Sequence, residues 1–113
     1  KNKHKINIKS KKKEKNMEGK YFKLGWVVST RTVSTKAEND SLFRDFIKKS
    51  VERYSNCDWW NTCDEDAKLN DEAVKNGEGR IFAEYITEKS NERIWIITEE
   101  DRSVTTILFP SEY

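Results

Sequence analysis

Residues 93–98 read Arg-Ile-Trp-Ile-Ile-Thr, and four bulky apolar side chains in so short a run constrain the chain more than any other feature. Successive residues of a strand point to opposite faces, so Trp95, Ile96 and Ile97 together demand cover on both sides of a sheet. Strand-like runs flank this one at residues 80–87 and 104–109, and the polar segments between them, 88–92 and 99–103, have the length of turns. The pattern predicts a three-stranded antiparallel meander with residues 93–98 in the middle. Pro110 ends the last strand, because proline has no N–H to give to a ladder.

The meander needs something to pack on it. Upstream, residues 21–35 (YFKLGWVVSTRTVST) are aromatic and β-branched and predict one long strand, or two joined near Gly25, with Trp26 covering the second face of the meander. Asp40 is a natural N-cap, and Leu42, Phe43, Phe46, Ile47 and Val51 then recur at helical spacing, which predicts a helix over residues 41–55. A second helix follows, capped by Thr62 or Asp64, with Asp64, Glu65 and Asp66 at the positive end of its dipole and Gly77 just past its end. Only Ala67, Leu69, Ala73 and Val74 are apolar in it, so it packs shallowly. The expected fold is α+β: an antiparallel sheet of the N-terminal strand or strands and the C-terminal meander, packed by two helices.

The chain has 113 residues, of which 35% are hydrophobic and 37% charged, which allows one thin domain and no large enzyme core. Four Trp, four Tyr and five Phe argue against disorder in most of it. The formal charge of +2 conceals a split. Residues 1–16 hold eight lysines against Glu14 alone, so residues 17–113 keep fourteen basic and nineteen acidic side chains, a balance of −5. The Lys/Asn-rich stretch has no apolar periodicity and is expected to be a disordered basic tail, leaving residues 17–113 as a single α+β domain. Two readings of the tail stand side by side: a cationic arm for nucleic acid, or translated upstream sequence outside the native product, with Met17 as the start. Neither an export signal nor a membrane span is visible, so a cytoplasmic protein with no membrane contact is expected.

Chemistry-bearing residues are few. With no export signal, Cys57 and Cys63 are expected to be reduced thiols, and the one histidine, His4, lies in the tail, which excludes a Ser/His/Asp arrangement in the body and disfavours a zinc site. No catalytic residue, metal ligand or cofactor is assigned. A two-metal nuclease site would need distant carboxylates to converge, for example Glu84 with Glu99 or Asp101. The acidic group Asp58, Asp64, Glu65, Asp66, Asp71 and Glu72 reads either as a solvated helix face or as an anionic surface that competes with nucleic acid for a basic groove. Trp59 and Trp60 cannot both face one way. Either one enters the core and the other anchors a partner, or both fill the core.

The words IWIITEEDRSVTTILFPSEY (94–113), GRIFAEY (79–85), NCDWW with CDED (56–66), LNDEAVKNGEG (69–79) and GWVVSTRTV (25–33) together resemble a family of small "plasmid-related" proteins encoded on plasmids and integrative elements of Gram-positive bacteria. The resemblance covers residues 17–113 and brings no catalytic residues with it. It implies a setting in which small acidic proteins act against host defence. The expected function is therefore inhibition of a host nuclease, an RNA-guided CRISPR effector foremost, bound through Asp58, Trp59, Trp60, Asp64, Glu65, Asp66, Asp71 and Glu72. The alternative is a nucleic-acid-binding accessory protein for plasmid maintenance, using Lys48, Lys49, Arg53 and the tail.

Overall fold

The computed structural model describes residues 15–113. The tail expectation thus falls outside the described residues except for Lys15 and Asn16, which belong to the first strand. In chain order the elements are β1 (Lys15–Glu18), β2 (Lys23–Ser29), α1 (Arg31–Asn39), α2 (Ser41–Ser55), α3 (Asp64–Asn76), β3 (Ile81–Ile86), β4 (Arg93–Thr98), β5 (Val104–Leu108) and a 3-10 turn, Pro110–Glu112.

The fold is α+β, and the expected meander forms: β3 pairs antiparallel with β4, and β4 with β5. The sheet as a whole is mixed, however, because β2 lies parallel to β5 in the order β2-β5-β4-β3, and short β1 extends it antiparallel at the β2 edge. The physical reason is the path of the chain. It leaves β2 through three helices and re-enters at the far edge as β3, and a meander of three strands then returns β5 to the direction of β2.

A third helix is the second departure from expectation. The segment TRTVST is not strand: Thr30 becomes an N-cap whose hydroxyl accepts from the Val33 N–H at 3.4 Å, and α1 begins at Arg31. Val33 and Ala37, one turn apart, then bury the same face, and this packing overrides the strand preference of Thr32, Val33 and Thr35. Asp40 closes α1 and caps α2, its Oδ1 accepting from the Leu42 and Phe43 N–H groups at 3.1 Å each.

All three helices contribute to the same core. Val33 and Ala37 of α1, Phe43 and Tyr54 of α2 and Ala73 of α3 join Leu24, Val27, Ile81, Ala83, Tyr85, Ile94, Ile96 and Ile107 of the strands. The register puts Trp26, Val28, Trp95, Ile97, Thr106 and Leu108 on the opposite face. Tyr113 crosses toward that face, with its ring 5.7 Å from Trp95 and its hydroxyl accepting from Arg80 at 2.9 Å. Trp26 points there too but stays half exposed.

Two local devices fix the β4–β5 turn, one against β2 and one against α3. Gly25 has φ +69°, and a Cβ there would lie 2.3 Å from the Ser103 carbonyl oxygen, so only glycine lets β2 approach the β4–β5 turn. Arg102 inserts its guanidinium among backbone carbonyls rather than pairing with a carboxylate, donating to Gly79 at 2.7 Å, Glu100 at 2.9 Å and Ala73, in the last turn of α3, at 3.1 Å. Inside the core, hydroxyls link helix to sheet: Thr105 donates to the Leu24 carbonyl at 2.7 Å, Thr98 bridges Thr105 and Tyr54 at 2.7 and 2.6 Å, and the Tyr54 hydroxyl also lies 3.1 Å from the Ile81 carbonyl. Three protons serve four contacts, so the Tyr54 hydrogen is shared, which fits the longer distance to Ile81. Burial pushes the Tyr54 hydroxyl's pKa well up, so it stays protonated.

Candidate partner-binding surface

The loop between α2 and α3 decides where the two tryptophans go. Asp58 N–H folds back on the Arg53 carbonyl at 2.8 Å, and two residues without the freedom of glycine, Cys57 at φ +61° and Trp60 at φ +38°, take left-handed conformations. The resulting turn points Trp59 and Trp60 in different directions. Trp59 is buried, edge-on to Tyr54 with ring centroids 5.6 Å apart, and its indole N–H donates to Asp71 Oδ1 at 2.8 Å. Trp60 is 54% exposed. The pair is divided, with Trp59 in the core and Trp60 at the surface.

Trp60 is exposed but held. The Arg53 guanidinium carbon sits 3.9 Å from its ring centroid, Asp58 Oδ1 accepts from its backbone N–H at 3.3 Å, and Asp58 reaches Arg53 at 4.0 Å. Arg53, one of the cations of the nucleic-acid reading, is thus engaged, while Lys48 and Lys49 remain exposed on α2. Beside Trp60 lies an open hollow of about 510 Å³ lined by Asn61, Ile86, Thr87, Glu88 and Asn91.

The same loop closes the free edge of β3. Asn61 Oδ1 accepts from Ile86 N–H at 2.8 Å, Thr62 Oγ1 accepts from Glu84 N–H at 2.8 Å, and the buried Asn70 of α3 bonds both backbone groups of Phe82 at 3.0 and 2.6 Å. Side chains replace a sixth strand, which protects an otherwise sticky edge. Thr62 is therefore not the cap of α3; Cys63 occupies that position without a side-chain hydrogen bond, and the acidic first turn compensates through the dipole.

The acidic group resolves into parts with different duties. Asp71 holds Trp59, and Asp58 holds the Trp60 turn. Asp64, Lys68, Asp71 and Lys75 follow one another along one line of α3 and alternate in charge, whereas Glu65, Leu69 and Glu72 form a second line with no basic member. Leu69 is 60% exposed between its two glutamates, and among the described residues none of the α3 carboxylates forms an ion pair. Asp66 is half-buried and Asp64 exposed at the start of the helix. Asn61 and Asn70 are absent from the sequence reading, which gave Thr62 to the helix cap, Leu69 to shallow packing and Arg53 to nucleic-acid contact. An apolar residue outside the helix's apolar stripe was the available signal for Leu69.

The carboxylates considered for a two-metal site lie apart. Glu84 pairs with Arg93 at 2.9 Å and takes the Trp95 indole N–H at 3.2 Å, whereas Glu99 pairs with Arg80 at 3.6 Å at the other end of the strands. Four residues of strand, roughly 13 Å, separate the β4 position opposite Glu84 from Glu99, so these carboxylates do not converge. Asp101 bonds Ser103, which keeps its carboxyl below the usual range. Among the described residues, no group of three His, Cys, Asp or Glu side chains comes together. Cys57 and Cys63 are free thiols, and burial, aided by the negative Asp71, raises the Cys57 pKa, which disfavours its thiolate. No helix among the described residues is long and apolar enough to cross a membrane. No family model, curated protein or solved structure matches the chain.

Proposed function

We propose that this protein is a non-enzymatic inhibitor that docks on the cationic nucleic-acid surface of a nuclease, an RNA-guided CRISPR effector foremost. The observations that carry the reading are an exposed, Arg53-braced Trp60 and an α3 line, Glu65-Leu69-Glu72, whose carboxylates flank an exposed leucine and form no ion pair among the described residues. A rigid exposed aromatic is the kind of residue that anchors interfaces, and carboxylates without internal partners are free to meet a partner's lysines and arginines. The mobile-element resemblance supplies the setting. The alternative, a nucleic-acid-binding accessory protein, is weakened by the engagement of Arg53 with Trp60 and Asp58.

The test is inhibition of DNA cleavage by a panel of purified CRISPR and restriction nucleases, with the full chain added at rising concentration and at two salt levels. Inhibition relieved by salt and lost in Trp60→Ala and Glu65→Lys/Glu72→Lys supports the proposal. Absence of binding and of inhibition across the panel, or binding of DNA alone with unchanged affinity in these variants, overturns it.

A further inference from the structure

At the other end of the sheet, far from α3 and β3, a cavity of about 290 Å³ opens between β2 and the helices α1 and α2. Its walls are aliphatic: Val27 and Ile107 from the sheet, Val33 and Ala37 from α1, Ile47 and Val51 from α2. The two serines that also line it, Ser29 and Ser34, are bonded to each other at 2.6 Å. Its charged lining residues are Arg44 and Lys48, one turn apart on α2 and so on the same side of that helix. Arg44 Nε donates to the Ala37 carbonyl at 3.1 Å, which ties the guanidinium to the end of α1 and engages none of its terminal nitrogens. Among the described residues neither cation forms an ion pair.

We infer that this cavity binds a small amphipathic carboxylate, with a single aliphatic chain among the valines and isoleucines and its head group between Arg44 and Lys48. The volume of about 290 Å³ falls just under the usual range for ligand sites, about 300–1,000 Å³, which suits one medium-length chain and excludes polycyclic or two-chain lipids. Unpaired cations at the end of an aliphatic slot select an anionic head over a neutral one, because the slot alone would accept any alkyl chain. The inference does not depend on the nuclease proposal; the two sites share α2 but use different residues of it, Arg53 at its last turn for one and Arg44, Ile47, Lys48 and Val51 for the other.

Titration of the full chain, labelled at its Ile and Val methyl groups, with hexanoate, octanoate and decanoate below micelle-forming concentrations tests it by NMR. Expected are shifts at Val33, Ile47, Val51 and Ile107, an affinity that rises about fourfold per added methylene, and at least tenfold weaker binding of decan-1-ol. Lys48→Gln, an exposed change that leaves the core untouched, should weaken decanoate several-fold and leave decan-1-ol unchanged, while Val51→Phe should fill the slot and abolish both. Carboxylates attracted only to the Lys-rich residues 1–16 would leave these methyls unmoved and be indifferent to both substitutions. That result overturns the inference, as does equal affinity for decanoate and decan-1-ol.

Discussion

Adjacent tryptophans in one loop take opposite places, Trp59 in the core and Trp60 at the surface, and single substitutions separate them. Trp59 sits among Phe22 and Tyr54 with its N–H on Asp71, so Trp59→Ala opens a large cavity and orphans a carboxylate; a loss of about 3–5 kcal/mol in urea unfolding is expected. Trp60→Ala removes an exposed ring and should change stability by less than about 1 kcal/mol while removing partner binding. Large destabilisation by both would mean that Trp60 too is structural. Asp40 offers a pH test at the same scale. Its carboxyl is held below the ordinary range, chiefly by the Phe43 N–H and also by Lys36. A lowered folded pKa contributes stability that is present above the ordinary carboxylate value and is lost as pH falls through the lowered one. Asp40→Asn, which keeps a capping oxygen but cannot titrate, should therefore show a shallower loss of melting temperature between neutral pH and pH 3 than the parent, and Asp40→Ala should be less stable than both at pH 7. Parallel acid profiles for the parent and Asp40→Asn would exclude the mechanism. At this scale the sequence showed that Trp59 and Trp60 must part, because their spacing forbids a shared face. It could not show which one stays outside, since that is set by the left-handed turn at Cys57 and Trp60, residue types that do not advertise such a backbone.

Elements read well where periodicity and punctuation agree. The α2 helix carries its cap and its apolar stripe in the sequence, α3 has an acidic start and Gly77 at its end, and the meander has its polar turns. Reading failed at α1, whose nine residues hold only two buried apolar side chains, Val33 and Ala37, and whose β-branched residues mimic a strand; tertiary packing decides that segment. It also passed over β1, where pairing with β2 depends on the edge exposed by the fold. That strand carries a prediction about the beginning of the domain. Lys15 pairs opposite Val27 and Asn16 opposite Trp26, so a chain starting at Met17 keeps only half of β1 and uncovers the outer edge of β2. A chain of residues 15–113 should be more stable to urea than one of 17–113 by about 1 kcal/mol, and the shorter one should self-associate more in size-exclusion chromatography through the bared edge. Equal stability and equal elution would show that β1 adds nothing to the domain.

Across the whole molecule, charge and hydrogen-bonding capacity are distributed unevenly. The β3 edge is closed by Asn61, Thr62 and Asn70. Among the described residues the carboxylates of α3 instead form no ion pair, although Lys68 and Lys75 lie on the same helix. A domain with a balance of −5 over residues 17–113 projects that field beyond its surface, and a field acts first on encounter rather than on the bound state. This distinction gives a kinetic signature. If α3 steers the protein to a cationic groove, Glu65→Lys/Glu72→Lys should slow association with a nuclease that the parent inhibits by at least tenfold at low salt, and the gap should narrow as ionic strength rises past about 0.15 M, where the Debye length is about 8 Å. Trp60→Ala should act on the other side of the balance and speed dissociation with little change in the association rate, because a buried anchor contributes after docking. Surface plasmon resonance at two salt concentrations separates the two effects. Charge reversal that alters only dissociation, with no salt dependence, would show that α3 forms a local contact and that the overall charge serves solubility instead.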